Sequence, residues 1–333
     1  MPTLPESKIE DARKKAENFL VQVRHKEDGW FPYKAGGQPA LEATAWGSLA
    51  LNGKEETLKT ANYLAVNQNE DGGWSTTPGA GRSDWSTAPS LLCIRLAAQY
   101  LKKQTGEKEQ TDEKEHKQIL SLLNQAIKRG KDCLFDSRTQ YYKPAARILL
   151  FVTQGEKPLN YARGWPWDPD CFHWIEPTAY ALMALKLPET PSDSELVEAI
   201  SSANRFILSH ACQGGGWNHG NDITLGAHLP AYRLTTAEAL LALQDVEDEK
   251  IQAALKYLRS WQDKDTSCQS LAMSALALQA YGLSADAEIG FLLARQAADG
   301  SFAGTIMATA MSCLALTAFQ NQDSSLFFRK SKS

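Results

Sequence analysis

Between Glu55 and Gln68 the apolar residues Leu58, Ala61, Tyr63, Leu64 and Ala65 are spaced among polar ones, as on a helix with one wet face and one packed face. From Thr87 to Ala98 the chain is apolar nearly all round and rich in small residues, which predicts a helix packed on both sides. Asp71-Gly72-Gly73 lies between the two and supplies the positive-φ residues that end the first helix. Trp74 follows as a large anchor whose single N–H needs an acceptor.

This unit recurs about six times in the 333 residues. Its turn reads Phe19-Leu20 through Gly29-Trp30, Tyr63-Leu64 through Gly73-Trp74, Cys133-Leu134 through Gly164-Trp165, Phe206-Ile207 through Gly216-Trp217, Tyr257-Leu258 through Trp261-Gln262, and Phe291-Leu292 through Gly300-Ser301-Phe302. The third and fifth copies are degraded. Each turn leads to an inner-helix column at Thr44, Thr87, Thr178, Thr236, Leu271 or Thr309. Self-similarity at such a period means stacked units, each too small to bury its apolar face alone.

Outer helices are predicted over 7–23, 55–68, 112–133, 194–210, 248–261 and 286–296, and inner helices over 42–51, 86–101, 176–187, 234–246, 270–281 and 307–319. Six such pairs close a ring, so the expected fold is all-α, an (α/α)6 toroid. The repeat runs from the first helix to the last and predicts a single domain over 1–333, with an irregular insertion at 134–170 and a flexible tail at 320–333.

Composition narrows the picture modestly. A formal net charge of -4 and the lack of a Lys/Arg stripe argue against a nucleic-acid partner. The polar start lacks a signal peptide's apolar core, and no apolar run is long enough to span a membrane. The six cysteines show no paired spacing, which places the protein in the cytoplasm with reduced thiols. Phe327-Phe328-Arg329-Lys330 offers at most a weak membrane-surface contact, and oligomeric state is left open.

The aromatic-Leu, Gln and Asp-Gly-Gly-Trp pattern before an Ala-rich helix resembles the repeat of the squalene cyclase, class II terpene cyclase and protein prenyltransferase β-subunit superfamily. The resemblance implies inner helices around a central cavity that takes a hydrophobic isoprenoid. Class II cyclases carry Asp-x-Asp-Asp-Thr-Ala at the start of an inner helix, with the middle Asp as proton donor. Aligned on Thr178-Ala179, those places hold Trp174, Ile175, Glu176 and Pro177, so Glu176 alone keeps a carboxyl. Asp168, Asp170 and His173 lie just upstream as candidate assistants. Prenyltransferases bind zinc through Asp, Cys and His. Asp170-Cys171 with His173, His219 and His228 is a loose counterpart whose adjacent first pair points apart. No cofactor is therefore expected, with zinc as the alternative.

The inner helices share one direction, so their starts meet at one mouth, where the longest loops gather. Trp85, Trp167 and Trp174 stand outside the repeat register and are, with Phe172, Tyr180, Tyr232 and Arg233, the candidate substrate-binding residues. Glu42 matches Glu176 in position and is a second candidate acid, although a carboxylate at a helix start also serves the helix dipole. The turn tryptophans and the Thr column are expected to be structural. Three functions compete: a proton-initiated isoprenoid cyclase or isomerase, a non-catalytic isoprenoid-binding or protein-interaction toroid (or a zinc-dependent prenyltransferase-like subunit), and a carbohydrate-active (α/α)6 enzyme using a carboxylate pair.

Overall fold

The computed structural model describes residues 4–51, 56–104, 113–138, 152, 163–169, 171–187, 194–260 and 267–322. Twelve helices are found among the described residues. Outer helices are α1 (Glu6–Val23), α3 (Glu56–Val66), α5 (Glu113–Asp136), α7 (Ser194–Ser209), α9 (Glu249–Ser260) and α11 (Asp286–Leu293). Inner helices are α2 (Leu41–Ala50), α4 (Thr87–Gln104), α6 (Ile175–Leu185), α8 (Arg233–Ala242), α10 (Cys268–Ala280) and α12 (Ile306–Asn321). Each inner helix packs on the next, and α12 returns to α2, so the ring closes. The fold is an (α/α)6 toroid. Two antiparallel hairpins decorate it, β1 (Trp165–Pro166) with β2 (His173–Trp174) and β3 (Ile223–Thr224) with β4 (Ala227–His228).

The threonine column is what joins turn to helix. Thr44, Thr87, Thr178, Thr236 and Thr309 each accept the backbone N–H of a buried turn aromatic, Phe31, Trp74, Trp165, Trp217 and Phe302, at 2.8 to 3.0 Å. Each hydroxyl also donates to the carbonyl of that same aromatic. In the first copy the buried partner is Phe31, not Trp30, which stacks on His25 instead. The chain enters that turn with one glycine rather than two, so the register moves by one residue.

The indole N–H of Trp74 reaches the carbonyl of Leu64, that of Trp165 reaches Leu134, and that of Trp217 reaches Ile207, each at 2.7 Å. Those carbonyls lie in or near the last turns of the outer helices, where intrahelical donors run out.

Neighbouring units meet through the turn glycines. Gly72, at φ 91°, lies so close to α5 that a Cβ would sit 2.6 Å from the Arg129 carbonyl oxygen. Gly300 makes the same approach to Lys15 on α1 and so helps close the ring. Gln68 and Gln296 reinforce these two seams by donating across to the carbonyls of Ala126 and Ala12.

Helix ends differ from expectation by three or more residues in four places, α4 and α5 running on to Gln104 and Asp136, past the predicted 101 and 133. α8 stops at Ala242 and α11 at Leu293, short of the predicted 246 and 296, because polar and turn residues follow. At the far ends of the inner helices Arg95 donates to the carbonyls of Ala184 and Leu187, and Lys186 to that of Ala242. These cations cap exposed carbonyls and offset the negative end of the helix dipole. Most of the insertion at 134–170 and of the tail at 320–333 lies outside the described residues.

Gly79 also has a positive φ, at 75°, but a Cβ there would meet nothing within 4 Å. Replacing Gly72 by Ala is therefore expected to lower stability by at least ~2 kcal/mol more than Gly79→Ala, since strain is common to both and overlap is not. Urea unfolding of the two variants beside the parent checks this.

Candidate active site at the barrel mouth

Residues two before and two after each column threonine are i and i+4 neighbours, on one face of their helix. The structure turns this face toward the ring axis. It carries Glu42 and Trp46 on α2, Glu176 and Tyr180 on α6, and Glu238 on α8, with Trp85 at the entry to α4. Their rings meet: Tyr180 lies 5.8 Å from Trp46 and 6.3 Å from Trp85, and Trp85 lies 4.8 Å edge-on to Trp167.

Three carboxyls are buried here, Glu42 at 7%, Glu176 at 5% and Glu238 at 1% exposure. Glu42 accepts the Tyr33 hydroxyl at 2.6 Å. Oε1 of Glu176 pairs with Nδ1 of His219 and accepts the Thr235 hydroxyl at 2.7 Å. Oε1 of Glu238 accepts the Tyr180 hydroxyl at 2.5 Å. The second oxygens of Glu176 and Glu238 are buried and bonded to no described residue. Glu238 was not among the residues singled out above, although its place two after Thr236 matches Trp46 and Tyr180 in the repeat.

Electrostatics follows from this crowding. Burial, helped by Asp84 and opposed by the Tyr33 hydrogen bond, pushes Glu42 up to about 7. Burial and then the neighbouring charge of Glu176 hold Glu238 well above the carboxylate range, against the Tyr180 hydroxyl. Burial and the charge of Glu238 likewise keep the Tyr180 phenol protonated.

Around this centre the rim is wetter. His219 is 57% exposed and lies between Trp174 and Tyr232, with its loop tied to α6 by the bond from Ile175 N–H to the His219 carbonyl. Beside the mouth is a cavity of about 210 Å³ lined by Trp85, Trp167, Pro177, Asp84 and Cys133 among others. Deeper in, Trp46 and Met273 are fully buried and Met311 is 2% exposed.

Several expected site residues lie elsewhere. His173 turns away from the axis, packs on Phe206 of α7, and its Nδ1 accepts the Gly164 N–H. Arg233 is buried between α8, α10 and α11, paired with Glu288 and donating to Ser274 at 2.9 Å, and does not line the mouth. Asp168 pairs with Arg82 at 3.1 Å on the exposed rim, and Phe172 is 57% exposed. Asp170 lies outside the described residues. Cys171 and His228 are exposed and His219 pairs with Glu176. No three His, Cys, Asp or Glu side chains among the described residues could share a metal ion.

No protein-family model and no curated protein matches the chain. Solved structures do. A type II terpene cyclase, MstE from Scytonema, aligns over 96% of this chain and 100% of its own at TM-score 0.59 and 15% identity. The GH76A α-1,6-mannanase of Salegentibacter sp. HEL1_6 aligns over 95% and 100% at TM-score 0.57 and 10% identity. A protein from Actinoplanes aligns over 93% and 98% at TM-score 0.58 and 19% identity. At these identities the likeness is one of fold, and it places the chain among α/α toroids, a fold shared by terpene cyclases and glycosidases.

The raised Glu42 has a consequence for stability. Its folded state holds the proton more tightly than the unfolded chain, whose ordinary value is 4.5. Its contribution is complete below about 4.5 and is lost as pH rises through about 7. Glu42→Gln is expected to remove a fall of ~3 kcal/mol across that window, measured as the difference in urea midpoints between parent and variant at each end.

Proposed function

We propose that the protein is a proton-initiated isoprenoid cyclase or isomerase whose reaction takes place at the barrel mouth. The observation that carries this reading is the carboxyl of Glu176. One of its oxygens is anchored by His219 and Thr235, and the other is buried, unengaged by described residues, near the axis. The aromatic faces of Trp46, Trp85 and Tyr180 lie around the same axis and suit a carbocation. Glu176 also stands where the resemblance places the class II proton donor, and the partly exposed His219 links it to solvent. MstE, a toroid of the same kind, is known in complex with geranylgeranyl dihydroxybenzoate as substrate and merosterolic acid A as product.

The position of the rim cavity shapes the proposal. The reacting end of the ligand sits among the carboxyls, and the rest of the chain runs out past Trp85 and Trp167 toward the rim cavity. An allylic alkene or an epoxide suits this site better than an isolated alkene, since fewer carboxylates reinforce the acid than in class II cyclases. All six cysteines are free, which fits the proposed cytoplasmic setting, and no described helix is long and apolar enough to cross a membrane.

A second reading is glycoside hydrolysis. It is favoured by the paired buried carboxyls on α6 and α8 and by the fold shared with the GH76A mannanase.

Incubation with linear isoprenoids, their epoxides and diphosphates, alongside α-1,6-linked mannooligosaccharides, separates these. Conversion of an isoprenoid, lowered ~100-fold or more by Glu176→Gln, is expected. Full turnover by Glu176→Gln, or cleavage of mannooligosaccharides alone, contradicts the proposal, and the absence of any product favours a binding toroid.

A further inference from the structure

Two helices face each other here with reciprocal pairs. α6 offers Glu176 and, one turn further on, Tyr180, while α8 offers Thr235 and, nearly one turn further on, Glu238. Thr235 bonds Glu176, and Tyr180 bonds Glu238 at 2.5 Å. The two carboxyls thus stand at different depths, ~5 Å apart along the axis. Glu176 is the outer one, connected to solvent through His219, and Glu238 is the inner one, 1% exposed.

We infer that Glu238 carries the proton delivered to the substrate and that Glu176, at the position of the family's acid, is its anionic partner. The assignment rests on the proton-initiated reading above. An ionised Glu238 would place a charge in a buried position with one hydroxyl donor and, among the described residues, no paired cation, which is strongly unfavourable. A neutral Glu238 avoids this, and its raised affinity for a proton agrees. With Oε1 taken by Tyr180, the proton resides on Oε2, where no described residue accepts it and a π bond is its acceptor. Glu176 is built oppositely. Thr235 donates to its Oε1, and Nδ1 of the solvent-facing His219 meets the same oxygen. Two carboxyls in unlike surroundings, one enclosed with a single hydroxyl donor and one with two partners and a path to solvent, are the usual arrangement for an acid and its partner base.

The resulting step balances without a co-reactant. The Oε2–H bond of Glu238 breaks, its electron pair stays on the carboxylate, and the proton forms a C–H bond with one alkene carbon through the π pair. The cation left on the other carbon lies between Tyr180, Trp46 and the Glu176 carboxylate. Glu176 then removes a proton from an adjacent carbon, and that C–H pair closes a new double bond. The proton returns from Glu176 to Glu238 between turnovers. The reaction is a redox-neutral isomerisation, with or without ring closure, and its product is an alkene rather than an alcohol.

Infrared spectroscopy of the full chain tests the assignment without any substrate. The other titratable groups facing Glu238 are Tyr180, Glu176 and Glu42, and Glu42 titrates at about 7, so every chain compared also carries Glu42→Gln and is measured at neutral pH. A protonated-carboxyl C=O band that shifts in D2O is expected in the parent and in Glu176→Gln, and is expected to vanish in Glu238→Gln. Absence of the band from the parent overturns the inference even if Glu238→Gln fails to fold, as does its loss in Glu176→Gln with retention in Glu238→Gln. Tyr180→Phe is expected to keep the band and shift its frequency, since one hydrogen bond to the carboxyl is lost. A band assigned to Glu238 without turnover of any isoprenoid would sink the proposed reaction and leave the proton assignment standing. Turnover that persists in Glu238→Gln within a few-fold of the parent would do the reverse.

Discussion

Each threonine of the repeat column binds both the N–H and the C=O of one buried aromatic in the preceding turn, and this two-way bond sets where an inner helix begins. The aromatic could not be buried otherwise, because its backbone groups would lack partners in an apolar interior. Spacing between the bonded residues varies from 7 to 19 residues, so loops of unequal length reach the same geometry. Loop variation at the mouth is thereby uncoupled from the packing of the ring.

The same bond orients the chemistry. With the threonine fixed beside the turn, residues two before and two after it face the axis, and whatever side chain occupies those places enters one shared space. Aromatic and sulfur side chains fill most of it. Glutamates at three of these places bury acids there, and burial raises the proton affinity of Glu42 and Glu238. At the opposite ends of the inner helices Arg95 and Lys186 cap carbonyls.

The toroid was legible because its signals are local and repeated: the glycine turn, the aromatic after it and the small-residue helix each have a physical cause visible in a short window. The error at Trp30 arose where one glycine replaced two, and only the burial of Phe31 distinguishes the candidates. The site was half legible. Glu42, Glu176, Trp85 and Tyr180 do converge, as position at the helix start suggested. His173 and Arg233 do not, since a polar residue near a mouth can as well serve the seam behind it, and pairing with Glu288 on a distant outer helix leaves no local trace. Glu238 was discoverable: the column two after threonine reads Trp46, Pro89, Tyr180, Glu238 and Met311, and a lone glutamate among uncharged, core-facing residues is a buried acid.

The central claim is that the mouth is built to stabilise a cation formed by proton transfer. Calorimetric binding of an isoprenoid amine, with an ammonium where the carbocation would form, measured against the uncharged hydrocarbon of the same shape, tests it most directly. The account predicts ~100-fold tighter binding of the amine, weakened by Glu176→Gln. Equal affinity for the two ligands would contradict it.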